Sequence, residues 1–334
     1  MGTTPKISLT DAPAVAACLP HLLGFHPRES LICLWIDDGA LVATQRADLP
    51  ESRDPQTVDA YVEAFRQAAA HVPARESIAV CVSDDAQWAL NVLTRFRLRF
   101  PDLCRGLLIV NGSQVGDITD EGVLWQWVGI SDRDMAGRQL DRAGVQTPAR
   151  SRADIEAECQ PNDAVVQALS AGEAEESAAV AELLAHIRRW DPDSEVKNGH
   201  GHSLSVDVRV LRDATATVEG RDLVMAWAAW LPFTERKSLL QTLFHALRGT
   251  PDNGEPVANV AASACAVAWL CGDGVRANAA VERCLRAVPD HVMGGLLDSV
   301  LQSGIPPNVV AMTLREGPLD TSVNESPDVA AGVA

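Results

Sequence analysis

The chain has 334 residues, 47% hydrophobic and 22% charged, with 45 acidic against 28 basic residues and a net charge of −17. That length predicts two domains, and the composition excludes a disordered chain. So acidic a surface opposes phosphate backbones and anionic lipids, whose binding rests on Lys and Arg displacing counterions, and no nucleic-acid partner is expected.

The apolar stretch 12–25 is interrupted by Pro13, Pro20 and His21, too short and broken for a membrane helix or a secretion signal. The expectation is a cytoplasmic protein with no membrane partner. Its eight cysteines form no CxxC pair and sit mostly in apolar runs, such as that around Cys33 and that around Cys81. There they read as small hydrophobes, not as a disulfide framework.

Thr10 or Asp11 can cap a short helix running to about Leu22, with Gly24 as its stop. Residues 30–36 and 40–48 read as strands, and Asp37-Asp38-Gly39 between them predicts a hairpin. Val58, Tyr61, Val62, Phe65 and Ala69 recur at helical spacing and predict a helix over 55–71. A short strand follows at 77–83. Ala89, Val92, Leu93, Phe96 and Phe100 mark a helix that Pro101 ends. A strand at 105–110 leads to an Asn111-Gly112 turn, and 123–130 reads as a strand carrying Trp125 and Trp127. Strands interleaved with helices predict an α/β domain over 1–148, a mixed sheet with flanking helices.

The composition shifts at 145–150, and an all-α domain is expected over 149–317. Val180, Leu183, Leu184 and Ile187 form an apolar helical stripe. Residues 191–203 read as a loop. The segment 204–211 alternates like a strand among helical neighbours, and the pattern leaves its state open. Helices follow around 223–231 and 239–247. Residues 256–289 read as a helix pair of tetratricopeptide shape, broken at Gly272-Asp273-Gly274, and 293–302 reads as a last helix. Residues 318–334 are small and polar without apolar periodicity, and a disordered tail is expected there.

Three separated motifs resemble an actinobacterial family called domain of unknown function 4192. The first runs from Leu22 to Leu31 as Leu-Leu-Gly-Phe-His-Pro-Arg-Glu-Ser-Leu. The second is Ser151-Arg152-Ala153-Asp154-Ile155-Glu156-Ala157. The third is Ala268-Trp269 with Gly272-Asp273-Gly274, Ala277, Ala280 and Pro289. The resemblance spans about residues 8–307 and implies a fold without naming a reaction. Its members carry a Trp-rich strand followed by a Cys- and Pro-rich loop. Trp125 and Trp127 match the strand, but residues 131–137 hold no cysteine, so no metal is expected there.

The chemistry-bearing candidates gather in the first domain. His26, Arg28 and Glu29 occupy a helix-to-strand corner and could line a ligand pocket; a polar corner loop explains them equally. Asp84 and Asp85 follow a strand and precede a helix, at the edge where α/β sheets collect ligands. They could hold a cation or act as acid and base, whereas Ser83 or Asp84 as a helix cap, with Asp85 complementing the helix dipole, accounts for them without a ligand. Asn111 could border the same edge or simply open a turn. His200 and His202 have metal-ligand character, but no HExxH or cysteine cluster completes a site. The arginines of Arg95-Phe96-Arg97-Leu98-Arg99 suit the negative end of a helix. No GxxxxGK motif and no GxSxG elbow occurs, and no cofactor is expected. The reading favours a non-catalytic binding or scaffolding protein that takes a protein partner on its helical domain. The alternative is a small-ligand- or nucleotide-binding enzyme using the strand-end edge.

Overall fold

The computed structural model describes residues 11–119, 124–130, 148–170, 176–189 and 206–315. The expected tail at 318–334, the segment 131–137, and His200 and His202 lie outside the described residues.

Helix α1 (Ala12–Leu23) starts where the Asp11 carboxylate accepts the Ala14 N–H at 2.8 Å, and it stops at Gly24, whose φ of 78° is left-handed. Strands β1 (Ser30–Asp37) and β2 (Ala40–Asp48) form the expected hairpin. Its two central residues, Asp38 and Gly39, have φ of 47° and 74°, the pair of positive values that matches strand twist. Helix α2 (Pro55–Ala68) runs into a 3₁₀ turn, Ala69–His71. Then come β3 (Glu76–Val82), α3 (Ala86–Arg99), β4 (Cys104–Asn111), β5 (Gln114–Ile118) and β6 (Leu124–Gly129).

The sheet order is β2-β1-β3-β4-β5-β6. Within the sheet β3 and β4 pair in parallel, and α3 makes the crossover that such a pair needs; the sheet's other neighbouring strands are antiparallel. Helices cover both faces. Val58, Val62 and Phe65 of α2 pack with Trp88, Val92 and Phe96 of α3 against Leu31, Cys33 and Trp35. On the other face Val15 and Leu19 of α1 pack with Phe25 against Ile32, Leu34 and Val80. Burial on both faces explains why β1 is apolar without alternation. Strand β5 was absent from the sequence reading. It spans five residues, and Gly116-Asp117 breaks its apolar run.

Helices α4 (Arg152–Glu158), α5 (Asp163–Ser170), α6 (Glu176–Arg189), α7 (Val208–Thr215), α8 (Val218–Trp230), α9 (Phe233–Arg248), α10 (Gly254–Leu270), α11 (Gly274–Ala287), α12 (Val292–Gln302) and α13 (Pro307–Arg315) follow. The segment left open in sequence enters a helix at Val208. The Asp207 carboxylate caps it through the Arg209 N–H at 2.7 Å, and Leu211 and Ala214 turn inward. Its successor, α8, approaches so closely that a Cβ on Gly220 would lie 2.0 Å from the Ala214 carbonyl oxygen. Alanine-rich α10 packs against α8 and α9 and is buried along nearly its whole length, because small side chains let neighbours come near. It ends at Gly272 (φ 74°), and Asp273 then caps α11 by accepting the Arg276 N–H at 3.1 Å.

The chain divides into two compact units. Of the described residues, the sheet unit takes those up to 158 with 273–276 and 298–306, and the helical unit those of 159–272 and 277–297 with 307–315.

Candidate functional site

In the sheet unit the start of β1 lies beside the carboxyl ends of β3 and β4, because β1 runs antiparallel to β3 and Ser30 pairs with Val82. This register brings Glu29 to the Ser83-Asp84 turn. The Glu29 carboxylate accepts the Ser83 hydroxyl and the Asp84 backbone N–H, each at 2.9 Å. Ser83 Oγ in turn accepts the Asp85 N–H at 3.1 Å. The Asn111 amide donates to the Asp84 carbonyl at 3.0 Å. Glu29 and Asn111 therefore meet at the backbone of Asp84, with the Ser83 hydroxyl on the second Glu29 oxygen.

Glu29 has a φ of 37°, in the left-handed region that a side chain seldom adopts. Its carboxylate bonds hold it there, together with its own carbonyl, which accepts the Leu49 N–H at 2.8 Å. Asp85 caps α3 by accepting the Trp88 N–H at 3.0 Å, and its other oxygen takes Arg53 Nη1 at 2.7 Å. The Trp88 bond foremost, and then the Arg53 bond, lower the pKa of its carboxyl. Arg53 also lies over the Trp88 ring.

His26 and Arg28 go elsewhere. The His26 backbone bonds the Ala149 carbonyl at 3.1 Å and its side chain is exposed. The Arg28 carbonyl accepts the Ser30 hydroxyl at 2.5 Å while its guanidinium points outward. The cation under this corner is Arg46, which the sequence reading did not single out. It donates to Ser30 Oγ from Nε at 3.0 Å and from Nη2 at 2.7 Å, pairs with Asp48, and lies over the Phe25 ring. Arg95 and Arg97 are likewise held in place, by Asp59 at 2.6 Å and by the Thr119 carbonyl at 2.8 Å. Most polar atoms of this edge thus answer to backbone or to each other. The exposed Asp84 carboxylate makes no hydrogen bond among the described residues. A cleft of about 290 Å³ opens at the opposite end of the sheet, beside Trp35, Arg66, Arg99 and Phe100. No cluster of three or more His, Cys, Asp or Glu side chains suited to a metal occurs among the described residues.

The helical unit presents a different feature. Trp230 ends α8 at 49% exposure, and Phe233 opens α9 at 55%. Arg315 of α13 lies over the Trp230 ring at 5.1 Å and donates to the Ala229 carbonyl at 2.9 Å. Lys237 lies over the Phe233 ring at 5.4 Å. Met312, one turn before Arg315, is 63% exposed. Two half-open aromatic rings, each beside a cation, have the composition of an interface core. Sequence reading passed over them because Trp230 continues the apolar stripe of α8 and Phe233 follows a proline.

Among the described residues no helix is long and apolar enough to cross a membrane. Neither the curated proteins nor the solved structures contain a match to this chain. A family profile described as Domain of unknown function (DUF4192) matches residues 13–308, and the chain belongs to that family.

Proposed function

We propose that the protein is a non-catalytic binding protein of the actinobacterial cytoplasm, docking a protein partner on its helical unit. The observation that carries this reading is the exposed pair Trp230 and Phe233 with their cations Arg315 and Lys237. Buried aromatics and arginines dominate binding energy at interfaces, so rings left half in water are suited to be covered. Those cations, in a chain of net charge −17, favour an acidic partner surface. The experiment is affinity capture by the full chain beside a Trp230→Ala/Phe233→Ala double variant, with purified captured protein then titrated calorimetrically. A partner that binds wild type and loses at least about tenfold in affinity for the variant supports the reading. Equal affinity for both removes it.

A second reading, a small ligand at the strand-end edge, draws support from Asp84, whose exposed carboxylate stands beyond the end of β3. A thermal-shift panel of nucleotides and divalent cations on wild type and Asp84→Asn tests it. A shift that Asp84→Asn abolishes would favour this reading over the first.

A further inference from the structure

His291 stands immediately before α12 in the helical unit and is 5% exposed. Its Nδ1 accepts the Gly294 backbone N–H at 3.0 Å, the bond with which a cap residue satisfies the first turn of a helix. A nitrogen that accepts carries no proton, so the hydrogen of the neutral ring is on Nε2. Nε2 donates to Asn259 Oδ1 at 3.1 Å, and Arg221 Nη1 donates to the same oxygen at 2.9 Å. Asn259 Nδ2 is spent on the Ala216 carbonyl at 2.9 Å, which fixes the amide's orientation. The ring's tautomer is thus set from both sides.

Cys284 completes the group. Its sulfur is 3.3 Å from His291 Nδ1, and the residue has no exposed surface. The first turn of α12 lies directly on it: a Cβ on Gly294 would meet the sulfur at 2.7 Å. Burial raises the pKa of this thiol to about 12.

The charged groups facing the ring come from two helices. Glu255 of α10 has an oxygen 3.6 Å from Nε2. Arg221 of α8 reaches it through the shared Asn259 oxygen and is itself paired with Asp222. Burial is the largest influence and lowers the pKa of the imidazole; Glu255 opposes this and Arg221 reinforces it. A proton on Nδ1 would also point at the Gly294 N–H, donor against donor.

We propose that His291 is an acid-sensitive latch holding the first turn of α12 over Cys284, and that its protonation uncovers this thiol for modification. The closed ring resists a proton that the released ring binds with the ordinary value near 6.5. Opening therefore becomes easier as pH falls, by up to about tenfold between pH 7.5 and 5.5 for one proton.

The test labels the full chain with 4,4′-dithiodipyridine, which reacts with thiols in acid, and quantifies each cysteine by peptide mass spectrometry. Rates are normalised to a free thiol at the same pH. Cys265 on α10, also without exposed surface, reports global opening. The expected result is a rise of about tenfold at Cys284 relative to Cys265. A His291→Asn variant, whose amide oxygen can take the same N–H without titrating, is expected to stay flat. The proposal is overturned if Cys284 and Cys265 rise together, if Cys284 stays flat in wild type, or if His291→Asn rises equally. The wild-type contrast between the two cysteines decides the matter even where the variant does not fold.

Discussion

The strand-end edge of the sheet unit and the interior of the helical unit both hold polar side chains, yet water treats them differently. At the edge, Glu29, Ser83, Asp85 and Asn111 bond mostly to backbone, and Glu29 and Asp84 are exposed. In the helical interior, Arg283 is 1% exposed and His291 5%. An exposed group that loses its partner turns to solvent, whereas a buried one is left with nothing. The edge that looked functional in sequence is thus mechanically forgiving. The sensitive chemistry sits among alanines and leucines.

The comparison is broken most directly at Arg283. Its guanidinium donates to Asp252 at 2.7 Å and to the carbonyls of Cys159, Leu247 and Thr250 at 2.5, 2.8 and 2.6 Å. Arg283→Ala takes a buried donor from the Cys159, Leu247 and Thr250 carbonyls, while the half-exposed Asp252 turns to solvent, and a loss of about 3–5 kcal/mol is expected in urea unfolding. A loss below about 1 kcal/mol would erase the contrast between the two regions.

Acid should separate the units next. The pKa values of His291 and His186 are lowered, chiefly by burial, with Arg189 adding to the effect at His186. A depressed histidine value means that the unfolded chain takes the proton first, so stability falls as pH drops below about 6.5. The caps Asp54 and Asp85 of the sheet unit are also depressed, from 3.8, by the Ser52 hydroxyl foremost at Asp54 and the Trp88 N–H at Asp85. Their contribution is complete above about pH 4 and is lost only below it. Hydrogen exchange read by mass spectrometry at pH 7, 5.5 and 4.5 should show α6, which carries His186, and the first turn of α12, which His291 caps, loosening before α2 and α3. The reverse order would contradict the comparison.

Smaller effects sharpen it. Glu29→Ala removes two hydrogen bonds at an exposed site and should lower stability by about 1 kcal/mol. Glu29→Gly should lose less than Glu29→Ala, because glycine occupies a φ of 37° without strain. Asp85→Asn keeps the cap oxygen and loses only the exposed Arg53 pair, so its urea midpoint should match wild type within error.

Much of the sheet unit was legible because its signals are local. Asp38-Gly39 wrote its hairpin and Gly24 its helix stop, while the cap of α3 fell at Asp85 and not at Ser83 or Asp84 as expected, because the helix begins one position later. Asp84 and Asn111 could be assigned to one strand-end edge, as an alternative to cap and turn, because strand ends of one sheet lie together. What stayed hidden was that Glu29 is the hub and that His26 bonds across to Ala149, since those partners are 54 and 123 positions away in the chain. In the helical unit Asn259 was the one available clue, a lone amide in an alanine-rich run. The segment 204–211 defeated pattern reading because period two and period 3.6 overlap over so few residues.

The sequence by itself determined most element types, the hairpin turn and the helix stop at Gly24, and the order of an α/β half and a helical half, because these follow from side chains within about four positions of one another. Only the tertiary structure decided which polar groups are consumed by backbone, which rings remain half in water, and that Asn259, Cys284 and His291 share one buried volume. Those facts depend on packing between distant segments, where burial rather than residue type sets what a hydrogen bond or a charge is worth.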